Sequence, residues 1–153
     1  VLNSDSGWEI FGLIRANTLR KTALHASYPG SDLVLIAELT LHGPFHILPD
    51  AISYPRVHAE QLWMLIPKER DRVVFEDSSL AGKIVLPKWG WFLGYLRAIR
   101  NAHLNILEAV HCYVTFLKWI LKPDHVRALG KDVLLAISKS IARIFSKQSS
   151  VHS

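Results

Sequence analysis

The chain has 153 residues, half of them hydrophobic and a fifth charged, which is enough for one domain with a sizeable core and excludes a disordered chain. Its net charge of +5 is uneven: residues 1–80 carry 7 Lys and Arg against 10 Asp and Glu, giving −3, whereas residues 81–153 carry 11 against 3, giving +8, so the second half suits an anionic partner. The single cysteine, Cys112, excludes an internal disulfide and a Cys-rich zinc site, and no run reaches the roughly 18–20 apolar residues that span a bilayer.

In chain order, Trp8 to Arg15 is short, apolar and partly β-branched, and reads as a strand. Asn17 caps a short predicted helix over Thr18 to Thr22, and Tyr28-Pro29-Gly30 marks a turn. Ser31 is a favourable N-cap, Asp32 falls in the first turn where the helix dipole favours a carboxylate, and Leu33 to Leu41 has helical spacing. Gly43-Pro44 ends that helix, and Phe45 to Tyr54 reads as extended, limited by Pro49 and Pro55. Two short helices are expected over Glu60 to Ile66 and Glu69 to Phe75, then a loop over Ser78 to Lys83. Three longer helices follow, Pro87 to Asn101, Asn105 to Leu121 and Asp124 to Lys147, the last amphipathic and basic. The polar end, Gln148 to Ser153, reads as a flexible tail.

Motif searches exclude several chemistries. There is no G-x-x-x-x-G-K loop, no G-x-G-x-x-G and no G-x-S-x-G elbow. Two clusters remain. Gly30-Ser31-Asp32 places a carboxylate between a turn and a helix, a placement that capping alone also explains. Arg56-Val57-His58 puts an arginine and a histidine on one side of an extended segment, a pairing that suits phosphate or metal-bound phosphate, or simply a surface turn.

The order of these clusters resembles the later part of bacterial family 2 glycosyltransferases. The resemblance is carried by Gly12-Leu13-Ile14-Arg15, Leu19-Arg20-Lys21-Thr22, Gly30-Ser31-Asp32, Leu35 to Leu39, Gly43-Pro44-Phe45-His46 and Arg56-Val57-His58, and it extends over residues 8–125. It implies an α/β fold: the C-terminal portion of a Rossmann-like type-A glycosyltransferase sandwich over residues 1–66, then a helical extension over 67–147 and the tail 148–153. It also implies that the chain is a fragment, which fits a start at Val1 with Met64 as the only methionine. No Asp-x-Asp metal motif is present, so the nucleotide-binding half is expected to be missing and the isolated chain inactive.

The resemblance further implies an inverting transfer of a sugar from a nucleotide-sugar donor to a glycan or lipid-linked acceptor. Asp32 would be the catalytic base, Gly30, Ser31 and Arg56 would contact substrate, and His58 would contact a divalent metal, Mg²⁺ or Mn²⁺, held jointly with the missing half. Ile52-Ser53-Tyr54-Pro55 departs from the arginine-rich stretch usual before R-x-H, and no Gln-x-x-Arg-Trp of processive synthases is present. The expected location is cytoplasmic and peripheral at the inner face of the membrane, with an anionic membrane surface as a further partner. The alternative is a non-catalytic basic helical module that docks on a membrane surface or a protein. Nucleic acid is not an expected partner, because Trp89, Trp91, Tyr95 and Trp119 sit in apolar contexts and read as core.

Overall fold

A computed structural model describes residues 7–50, 54 and 58–149. Among them are seven α-helices: α1 (Ala16–Leu19), α2 (Ser31–Thr40), α3 (Leu62–Leu65), α4 (Glu69–Glu76), α5 (Pro87–Asn101), α6 (Ile106–Ile120) and α7 (Pro123–Ser149). Two short 3-10 turns, Trp8–Phe11 and Ser78–Leu80, complete the regular structure.

No strand occurs among the described residues, which overturns the expected α/β sandwich. Trp8–Phe11 is a 3-10 turn, and residues 43–48 run without regular structure. The physical reason is that a strand is stable only beside another at hydrogen-bonding distance. Neither segment has such a neighbour here, and their apolar side chains point outward: Leu13 is fully exposed and Ile47 is 86% exposed.

Helix α2 is central. Val34, Leu35, Ile36, Ala37 and Leu39 are all buried, so its apolar surface continues around the helix instead of forming one stripe. Its most extensive packing partner is α5. Gly94 makes that approach possible, since a Cβ there would lie 2.6 Å from the Tyr28 hydroxyl and 2.9 Å from Val34 Cγ1. Helix α5 begins at Pro87, whose missing N–H costs nothing at a helix start. The next amide, Lys88 N–H, donates to the buried Asp132 carboxylate of α7 at 2.9 Å, so α7 caps α5.

Helix α6 starts with a reciprocal cap: the Asn105 side chain accepts from Glu108 N–H at 2.9 Å, and Glu108 accepts from Asn105 N–H at 3.1 Å. Its inner face carries Phe116 and Trp119 into a core completed by Val34, Ala37, Tyr95 and Ile99. Aromatic rings hold α5 to α6. Tyr95 meets Trp119 edge-on at 5.2 Å between centroids, and Phe92 meets Phe116 at 5.3 Å, the geometry the ring quadrupoles favour.

Candidate functional site

The turn before α2 is built by a contact from far along the chain. Gly30 has φ +81°, a left-handed conformation that side chains with a Cβ adopt at a cost. The indole N–H of Trp91, on α5, donates to the Pro29 carbonyl at 2.6 Å. Its ring occupies the space that a Cβ on residue 30 would need, 2.2 Å from Cζ2. Lys88 Nζ lies over the other side of this ring, 4.1 Å from its centroid. Glycine at position 30 is therefore required twice, by conformation and by space.

Ser31 does not cap the helix as its sequence position suggests; it is the first helical residue and is almost wholly buried. Its hydroxyl donates to Ala26 O at 2.7 Å. That bond uses the only hydroxyl proton, so His25, with a ring nitrogen 3.1 Å from Oγ, is the donor in the second contact. Ser31 thus fastens the loop 25–30 instead of facing a substrate. Glu38, one side of α2 further along, is buried and accepts from Ala23 N–H at 2.9 Å, pinning the start of the same loop.

Asp32 follows in the first turn, half-buried, with Oδ2 3.7 Å from the position of a Cβ on Gly7. A second carboxyl, Glu76 at the end of α4, stands within its field. Burial raises the Glu76 pKa above the usual carboxylate value; His25 lowers it, Asp32 raises it and Arg72 lowers it. Glu76 thus feels the charges of His25 from the loop before α2, of Asp32 from α2 and of Arg72 from its own helix. Arg72 also donates to Ile66 O at 3.3 Å, which ties α4 to the segment after α3. The half-buried Asp32 carboxylate is a hydrogen-bond acceptor within the electrostatic reach of Glu76.

The second sequence cluster is not joined to this one. His58 is exposed ahead of α3, with no side-chain bond to Asp32, Glu76 or His25. Arg56 lies outside the described residues. Among the described residues no three His, Cys, Asp or Glu side chains gather to hold a metal ion. His25, Arg72, Glu76 and Trp91 were not legible as site residues. Their sequence positions carry no motif, and Trp91 reads as core.

Elsewhere, an open groove of about 440 Å³ runs between the end of α2 and the start of α6, lined by Thr40, Leu41, Leu104, Leu107, Glu108, His111 and Cys112. Burial raises the Cys112 pKa and Glu108 raises it further. The sulfur is thus held as a thiol, which is a poor nucleophile.

Comparison with family models, with curated proteins and with solved structures finds no match to this chain.

Proposed function

We propose that this chain supplies the acceptor side of an inverting sugar transferase, with Asp32 as the base. The observation that carries the reading is the placement of Asp32. It is half-buried in the first turn of α2, directly after a turn clamped by Trp91, and within the electrostatic reach of a second carboxyl, Glu76. The acceptor hydroxyl gives its proton to Asp32, and the oxygen lone pair forms a bond to the anomeric carbon. The bond from that carbon to the nucleoside diphosphate breaks, and its electrons leave on the phosphate oxygen. The ordered motifs around Gly30-Ser31-Asp32 support the sugar-nucleotide chemistry, and the donor-binding elements belong to a segment or subunit beyond the described residues.

The test is transfer by the chain produced together with any coding sequence contiguous with it. Release of nucleoside diphosphate from a panel of sugar donors is followed with glycan and lipid-linked acceptors. Asp32→Asn should lower turnover by about 10²–10⁴, the range of a lost general base, while the exposed Asp71→Asn leaves it unchanged. Full turnover in Asp32→Asn would refute the assignment.

A further inference from the structure

We propose that α6 and α7 together form a docking surface for an anionic lipid bilayer. The structure leaves each helix with an unpartnered apolar stripe bordered by cations.

On α6, Leu107, Val110, Val114, Leu117 and Leu121 recur at spacings of three and four, and all are exposed. This is the face opposite Phe116 and Trp119, which are committed to the core. Helical geometry sets the exposed Lys118 beside that stripe, one position beyond Leu117, and the exposed Lys122 lies in the bend that follows the helix. Helix α7 repeats the design. Val126, Val133, Leu134, Ile137 and Ile141 form its exposed stripe, and Arg127 and Lys131 border it. Asp132 does not dilute this charge, because it is buried on the other face against the start of α5.

Exposed side chains of this size in a stripe on each of two successive helices exceed what scattered surface residues require. Their chemistry selects the occupant. Arg127 also pairs with the exposed Asp124 at 3.6 Å, and an apolar groove on a protein partner would match the stripes alone, not the lysines beside them. An anionic bilayer satisfies both, since apolar side chains enter the acyl boundary while lysine and arginine reach the headgroups. The +8 charge of residues 81–153 adds to the attraction. The mode is interfacial, because no described helix is long and apolar enough to cross a membrane. The proposal is independent of the transferase reading and is tested by binding alone.

The experiment is co-sedimentation of the full chain with vesicles of phosphatidylcholine and with vesicles of equimolar phosphatidylcholine and phosphatidylglycerol. Binding is expected to the second and not to the first, and to be lost in about 1 M salt, where screening shortens to about 3 Å. Arg127→Gln and Lys131→Gln should each weaken partition about fivefold, and Leu134→Asp should weaken it by more than about tenfold. Lys83→Gln, which removes a cation outside these helices, should have little effect. All four positions are exposed, and unchanged circular dichroism separates lost binding from lost folding. Absence of binding to the anionic vesicles at low salt overturns the proposal. So does a dimer, measured by light scattering, that Leu134→Asp dissociates, because the stripe would then belong to a second copy.

Discussion

Replacing Gly30 with alanine tests the clamp on which the placement of Asp32 depends. Two costs can be separated. The backbone there is left-handed at φ +81°, which costs an L-residue about 1–2 kcal/mol. The new Cβ would also lie 2.2, 2.6 and 2.8 Å from three atoms of the Trp91 ring, where carbon contacts ordinarily rest at about 3.5–4.0 Å. The ring must retreat by about 1 Å or more, and a 2.6 Å bond from its N–H to Pro29 O does not survive stretching beyond about 3.5 Å. Leaving those polar groups short of a partner costs a further ~1–3 kcal/mol. The expected loss is thus about 2–5 kcal/mol, or a melting temperature lower by about 5–15 °C for a chain of this size.

Urea denaturation followed by tryptophan fluorescence measures the loss, and two comparisons assign it. Gly130→Ala, inside α7 with nothing near the new Cβ, should stabilise by up to ~1 kcal/mol through helix propensity. In a Trp91→Ala background the ring is gone, so Gly30→Ala should cost only the backbone part, about 1–2 kcal/mol. A loss below about 0.5 kcal/mol in the natural background, or an equal loss in both backgrounds, would show that Trp91 does not clamp this turn. The argument for a positioned Asp32 would fall with it.

Asn105→Ala removes the side-chain acceptor of the cap on α6 while keeping the residue 105 N–H that Glu108 accepts from, and should lower stability by about 0.5–2 kcal/mol in the same denaturation assay; Asn105→Ser should recover most of it. Burial, with a smaller contribution from Tyr28, pushes the Tyr95 pKa from 10.0 up to about 12. The folded state therefore binds the phenolic proton more tightly than the unfolded state does. The stabilisation is complete below pH about 10 and lost as pH rises through about 12, a change of about 2–3 kcal/mol. Melting temperatures across this range should fall less steeply for Tyr95→Phe than for the natural chain, and equal slopes would refute the assignment.

Much of the helical organisation was legible locally. Gly43-Pro44 after α2, Pro87 as the first residue of α5, and Asn105 with Glu108 opening α6 act through groups at or within a few residues of the helix end, so the sequence carries those signals, whereas the Lys88 amide of α5 is capped by Asp132 from 44 residues away. The site was legible only in part. Gly30 and Asp32 announce a turn and a carboxylate at a helix start, but Ser31 between them turns inward, to Ala26 and His25. The influence of His25, Asp32 and Arg72 on Glu76 has no local signature. The same holds for Trp91, which reaches the Pro29 carbonyl from 62 residues away.

The strands were misjudged for a related reason. An apolar, β-branched segment such as Trp8 to Arg15 states a preference, but its hydrogen bonds must come from another strand, and the described residues provide none. By itself the sequence determined the structures whose partners lie within one or two helical turns: the caps, the stops and the apolar periods of α2, α5, α6 and α7. The packing of α5 against the turn before α2, the group around Asp32 and the absence of a sheet among the described residues were decided by tertiary structure. In each of these the groups that must meet are far apart in the chain, and their meeting is settled by which apolar surfaces bury one another.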